Sequence, residues 1–176
     1  ATVLVQTQGL NILTDPVWSE RVSPFSRLGP KRVNAPGIAW SSLPPIDVVL
    51  ISHDHFDHLD ARTVRRLRAA HRATFVVPLG VASWLRGLDI RTDVVELDWW
   101  QSAHVHGLEV TCTPAQHYGQ RSPWDVNRRL WCGWSVKGGG RTWLFTGDTG
   151  YAPNVFRTIG ERLGPVEMLT RLNQIA

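Results

Sequence analysis

The chain has 176 residues, 43% of them hydrophobic and 19% charged, with a formal net charge of +4. That length and balance fit one globular domain with a core of its own and exclude a disordered polyelectrolyte. No apolar run approaches the roughly 18 residues of a membrane span. The modest positive charge, much of it arginine in one expected helix, argues against nucleic-acid binding but suits phosphate-bearing substrates or anionic headgroups.

Taken in order, Thr2 to Gln6 and Leu10 to Leu13 flank Gln8-Gly9 and predict an antiparallel hairpin that stops at Thr14-Asp15-Pro16. The chain opens inside a strand and without Met, so it is expected to be a piece of a longer protein. From Val17 to Pro45, Pro, Gly, Ser and Arg replace any periodicity, which predicts a functional loop holding Trp18 and Trp40. Asp47 to Ile51 reads as a buried strand. Asp60 predicts the N-cap of a helix through Ala70, with Leu59, Val64 and Leu67 at helical spacing and an arginine-rich last turn that complements the dipole. His71 at its end is read as a capping or solvated residue. Thr74 to Pro78 predicts a strand, Leu79 to Leu88 a short helix, and Val94 to Leu97 a strand running into Asp98-Trp99-Trp100. One of those two indoles should enter the core, since successive strand residues face opposite sides. Leu108 to Pro114, Leu130 to Val136 and Arg141 to Thr146 predict three further strands, the last two joined through Lys137-Gly138-Gly139-Gly140. Asn154 to Leu163 predicts a helix. Cys112 and Cys132 lack CxxC spacing and fall in strand-like segments. They are expected to be reduced core residues in a cytoplasmic setting, with a disulfide between them left open.

The chemistry concentrates in Ser52-His53-Asp54-His55-Phe56-Asp57-His58, directly after a buried strand. Imidazole and carboxylate are good ligands for zinc and related divalent metals. On an extended chain His53 and His55 share one side and can grip one ion as a pair. Asp57 and His58 follow where the chain turns and can reach a second. His117 and Asp148, each at a strand end, are candidates to complete the first site and bridge the two. A purpose for such a cluster is to hold metal-bound hydroxide against a hydrolysable substrate. The alternative is a polar loop with solvated histidines. His104 and His106 are read as a solvated turn pair.

His53-x-His55-x-Asp57-His58, with His117 and Gly147-Asp148, resembles the metallo-β-lactamase superfamily of hydrolases. Thr14-Asp15-Pro16-Val17-Trp18, Glu96-Leu97-Asp98-Trp99-Trp100, Thr113-Pro114-Ala115-Gln116-His117 and Asn127-Arg128-Arg129-Leu130-Trp131 are similar to the branch containing the phospholipase D of N-acyl-phosphatidylethanolamines. The resemblance implies an α/β fold, an αββα sandwich incomplete at both ends, formed by a single truncated domain over residues 1–176. It assigns His53, His55 and His117 to one zinc, Asp57 and His58 to the other, and Asp148 to the bridge. Asp57 gains a catalytic role in orienting the attacking hydroxide. Asp15 becomes a carboxylate holding a ligand imidazole, with a plain turn residue before Pro16 as the equal alternative. The family takes one more His beyond the bridging Asp, whereas none of the seven histidines follows Asp148. The tail from Pro165 to Thr170 also lacks an apolar strand pattern.

The expectation is therefore a metal-dependent hydrolase with two zinc sites, the second incomplete. It would cleave a small-molecule or lipid phosphodiester, phospholipase D-like on N-acylated phospholipids. A lactonase or cyclic phosphodiesterase on the same core is one alternative, and a binding-only remnant another. No nucleic-acid partner and no transmembrane segment are expected. The protein is placed in the cytoplasm, with any membrane contact peripheral, and no oligomeric state is specified.

Overall fold

Alternation along a few short strands decides the layering. The computed structural model describes residues 2–25 and 27–170. Among them, β1 (Val3–Thr7), β2 (Leu10–Thr14), β3 (Val48–Leu50), β4 (Thr74–Pro78) and β5 (Val94–Leu97) form one sheet in that order. The β1/β2 pair is antiparallel and the other pairs are parallel. A second sheet has the order β10-β9-β8-β7-β6, from β6 (Ser102–Val105), β7 (Leu108–Thr113), β8 (Gly133–Gly138), β9 (Arg141–Phe145) and β10 (Met168–Thr170). It is antiparallel except for β9/β10.

In β3, Val48 and Leu50 point to a core shared with Val110, Trp134, Val136 and Phe145 of the second sheet. Val49 and the following Ile51 point the other way, onto Val64 and Leu67 of α1 (Ala61–Ala70) and Val81 and Leu85 of α2 (Val81–Arg86). A strand buried on both faces needs the unbroken apolar run seen in the sequence. Each such side chain contributes about 1.5–3 kcal/mol when fully buried. The Trp134 indole N–H donates to the Ile51 carbonyl at 2.9 Å and ties the sheets together beside the histidine segment. A third helix, α3 (Pro153–Leu163), forms the crossover between the parallel strands β9 and β10. This two-sheet α/β sandwich is the layered fold expected.

The departures have local causes. β6 escapes the sequence pattern because only Val105 of its four residues is buried. β8 starts at Gly133 because the residues before it pair elsewhere: Leu130 N–H donates to Leu79 O at 2.8 Å and Cys132 N–H to Ser52 O at 2.9 Å. α2 is shorter than expected because Gly80, at φ +88°, caps it late and Gly87 ends it. The tail, expected to lack strand structure, forms β10: its backbone continues the β9 ladder although Met168 and Leu169 are exposed. Neither Trp99 nor Trp100 is buried, which corrects that expectation. Trp100 adopts φ +68° in a turn, and the Arg162 guanidinium lies 4.3 Å from its ring centroid. Both cysteines are buried and free. Among the described residues no helix is long and apolar enough to cross a membrane.

Candidate metal centre

Topology gathers the polar residues before any side chain is considered. β2 and β3 are parallel neighbours, and β7 and β9 share a direction because both pair antiparallel with β8. The four strands deliver Asp15, the segment from Ser52 to His58, His117 and Asp148 just beyond their C-terminal ends. All six residues expected to bind metal meet there. His53, His55 and His117 form one group; Asp57, His58 and Asp148 form another.

In the first group, His53 Nε2 lies 2.9 Å from His55 Nδ1 and 3.1 Å from His117 Nε2, and the third edge is 3.2 Å. Nitrogens bound to one ion at about 2.05 Å stand about 3.3 Å apart in a tetrahedron and about 2.9 Å apart at right angles. The observed edges lie between, so the triangle accepts either geometry. The tautomer of His53 follows from its neighbours. The Asp15 carboxylate only accepts, so the Ser52 hydroxyl donates to Asp15 Oδ2 (2.6 Å) and must accept from His53 Nδ1–H (2.9 Å). His53 Nε2 therefore turns a bare lone pair into the triangle. Burial first, then His58, His117 and His55, push His53 well below the ordinary imidazole range; burial likewise lowers His55 and His117. Neutral imidazoles are what a cation requires.

The second group makes the demand for a cation explicit. His58 Nδ1 donates to Asp15 Oδ2 at 2.6 Å. Its Nε2 then faces two carboxylate oxygens, Asp148 Oδ2 at 3.2 Å and Asp57 Oδ2 at 3.5 Å. A lone pair between two anions needs a proton or a metal ion. Burial alone would lower the His58 pKa, but the Asp15 charge and hydrogen bonds to Asp148, Asp15 and Asp57 lift it well above the ordinary value. Burial would raise Asp57, yet its hydrogen bond to His58 and the His58 charge hold it at about 2. The donor chemistry thus fits a divalent ion in each group.

Two backbone features aim these residues. Asp15, fully buried, adopts φ +39°, a strained conformation for a non-glycine residue. In return its carboxylate reaches Ser52 and His58 together, contacts that a turn before Pro16 does not require. Gly147 adopts φ +56°, and a Cβ there would meet Ser52 Cβ at 2.7 Å and Cys132 O at 2.9 Å. Only glycine lets Asp148 approach.

The other histidines lie elsewhere. His71 caps α1, its N–H donating to Leu67 O, and its Nδ1 accepts from Ile46 N–H at 3.2 Å. His104 lies exposed in β6, and His106, in the following turn, pairs with Thr74 Oγ1 at 3.1 Å. Sequence reasoning missed Ser52, Asp54, Arg121 and Arg129. The buried Asp54 carboxylate accepts from Arg129 Nε at 2.5 Å and from Gln120 N–H at 2.8 Å. Two clefts meet at Asp57. One, of about 440 Å³, is walled by Leu4, Val17, Trp18 and Ile38; the other, of about 430 Å³, by His55, Phe56, Tyr118 and Arg121.

The model of the beta-lactamase superfamily domain matches residues 10–171. The chain belongs to the beta-lactamase superfamily. Within that superfamily it is 44% identical to N-acyl-phosphatidylethanolamine-hydrolyzing phospholipase D 1 of Caenorhabditis elegans, over 96% of this chain and 50% of the relative. It is 36% identical to the mitochondrial N-acyl-phosphatidylethanolamine-hydrolyzing phospholipase D of Saccharomyces cerevisiae, over 89% of this chain and 34% of the relative. Among solved structures it is similar to CmlA, a diiron β-hydroxylase of Streptomyces venezuelae, with 28% identity and a TM-score of 0.69 over 96% of this chain and 32% of that one. The chain spans half or less of the length of these relatives.

Proposed function

We propose that His53, His55 and His117 hold one divalent ion, that Asp57, His58 and Asp148 hold a second, and that zinc is the metal. We further propose that the whole protein is a metal-dependent hydrolase of phosphodiesters, acting in the phospholipase D manner on N-acylated phospholipids. The observation that carries this reading is that one buried carboxylate, Asp15, orients His58 directly and His53 through Ser52, so that both Nε2 atoms face the two candidate groups. The likeness to relatives named for this reaction supports the substrate class. Ions held there would supply Lewis acidity to a phosphoryl oxygen and lower the pKa of a water.

The chain's own groups do the rest. Asp15 and Ser52 fix the imidazole tautomers. Asp57, ionised and exposed where two clefts meet, accepts a hydrogen bond from the attacking water and orients it. The apolar cleft beside it suits the tail of an amphiphilic substrate. The reading also places the protein in the cytoplasm, with peripheral contact to lipid. A second reading follows from the likeness to a diiron β-hydroxylase: the same cluster would hold iron.

Metal analysis of the full-length protein, combined with turnover of N-acyl-phosphatidylethanolamine, bis-p-nitrophenyl phosphate and a lactone panel, separates these. Zinc with phosphodiester cleavage is expected. Lactone cleavage without phosphodiester cleavage would sink the phosphodiesterase assignment, and iron with neither activity would favour the second reading. His55→Ala should lose metal and hydrolysis together; unchanged metal content would refute its role as a ligand.

A further inference from the structure

The metal groups draw donors from both sheets, so something must hold the contributing loops in register. Arg121 lies four residues beyond His117, on the segment leaving β7. Its Nη1 donates to the carbonyl oxygens of Asp54 (2.6 Å) and Leu59 (2.8 Å), the residues that bracket the turn carrying His55, Asp57 and His58. The guanidinium carbon lies 4.1 Å from the ring centroid of Phe56, within that turn, and 4.5 Å from that of Trp84 on α2. The Asp54 carboxylate is taken up instead by Arg129 and Gln120 N–H. The Gly119 backbone also packs against the Asp54 carboxylate, since a Cβ there would come within 3.0 Å of Asp54 Oδ1, as well as 2.7 Å of Arg129 O.

We infer that Arg121 is a positioning residue for the metal centre: it clamps the turn from Asp54 to Leu59 against the segment that carries His117, and so sets the spacing of the histidine triangle. This rests on the proposed metal-holding role of that triangle. Burial lowers the Arg121 pKa to about 10, so the side chain stays charged at neutral pH. A largely buried cation is a costly way merely to fill space, and an apolar residue would do that better. Its planar fork instead bridges two carbonyls while stacking on aromatic faces, which a lysine ammonium does not reproduce. Arg121 touches no reacting atom in this role. Its effect passes through His55 and His117.

The test uses the full-length protein with zinc alone and cobalt(II) alone as probes. Arg121→Met and Arg121→Lys should both weaken zinc binding by about 10–100-fold in competition with a chromogenic chelator. Both should also change the visible absorption of the cobalt(II)-loaded protein, a readout that a merely structural role would not move. Folded variants with zinc affinity within twofold of wild type and an unchanged cobalt spectrum would overturn the clamp. Should both arginine variants fail to fold, Phe56→Leu removes one ring face and keeps both carbonyl bonds. A several-fold loss of zinc affinity there supports the clamp, and an unchanged affinity overturns it. Wild-type protein that takes up no zinc would overturn the metal reading itself, an outcome distinct from variants that match a zinc-binding wild type.

Discussion

Asp15→Asn is the sharpest test of the reasoning, because it changes one atom and no volume. The carboxylate takes three hydrogen bonds: Ser52 N–H on Oδ1 at 2.7 Å, and Ser52 O–H and His58 Nδ1–H on Oδ2, both at 2.6 Å. An amide NH₂ at the Oδ2 position would face two donors. Turned over, it would face only the Ser52 backbone N–H, so this orientation costs less. One buried N–H then loses its acceptor, worth about 1–3 kcal/mol. At about 2–4 °C per kcal/mol for a chain of this size, the metal-free protein should melt several degrees lower. The second effect is on metal. A neutral amide grips His58 Nδ1–H and the Ser52 hydroxyl more weakly, so the tautomers that aim His58 Nε2 and His53 Nε2 are no longer enforced. Partners of this kind typically govern 10–100-fold in metal affinity, or about 1.4–2.7 kcal/mol. Zinc competition and differential scanning fluorimetry on wild type and variant would measure both. A variant that melts several degrees lower yet binds zinc as tightly as wild type would refute the tautomer argument while leaving the packing argument intact.

Three further outcomes are expected. Trp134→Phe removes the indole donor to Ile51 O inside the inter-sheet core and should cost about 1–3 kcal/mol in urea unfolding; an unchanged midpoint would show that this bond does not tie the sheets. Gly147→Ala forces a Cβ into a positive-φ position already crowded by Ser52 and Cys132. It should destabilise by at least about 1–3 kcal/mol and weaken metal binding as Asp148 shifts, read by melting and by chelator competition. Asp125 tests linkage at low pH. Partial burial would raise its pKa, but the N–H groups of Arg121 and Ser122 and the Arg129 guanidinium hold it at about 2. A depressed carboxyl contributes stability that is present above its unfolded pKa and lost as pH falls through the folded one. Wild type should therefore lose melting temperature between about pH 4 and pH 2 more steeply than Asp125→Asn, and parallel curves would contradict the assignment.

What the sequence revealed followed the range over which its signals act. The α1 N-cap and the strands Thr74–Pro78 and Val94–Leu97 agree with expectation because a cap and an apolar run are local. The histidine segment was equally legible, since four of its candidate ligands lie within six residues. Asp15 was ambiguous because a turn before proline and a buried carboxylate on an imidazole look the same in one dimension. Arg121 carries no sequence signal, and Arg129 appears only within a motif, with no role of its own. Their bonds to the turn reach 62 to 75 residues along the chain, and an arginine in a polar loop reads as solvated by default.

That contrast bears on how such a centre tolerates change. Ligand spacing after β3 is written into a short motif, but the distance from that motif to His117 is not. It depends on the Trp134–Ile51 bond between the sheets, on Cys132 N–H reaching Ser52 O, and on the Arg121 and Arg129 contacts to the turn. Each of these crosses from one sheet's segments to the other's. Substitution of Arg121 or Arg129 should change metal affinity before it abolishes the fold, because the strand cores are buried independently of these loop contacts. Substitutions confined to one layer, such as Leu85→Ala on the helix face, should do the reverse: a loss of about 2–5 kcal/mol in stability with little change in the zinc affinity of the molecules that remain folded. Plotting zinc affinity against stability for both classes would resolve them into two trends, and a single common line would mean that the centre is held by global stability alone.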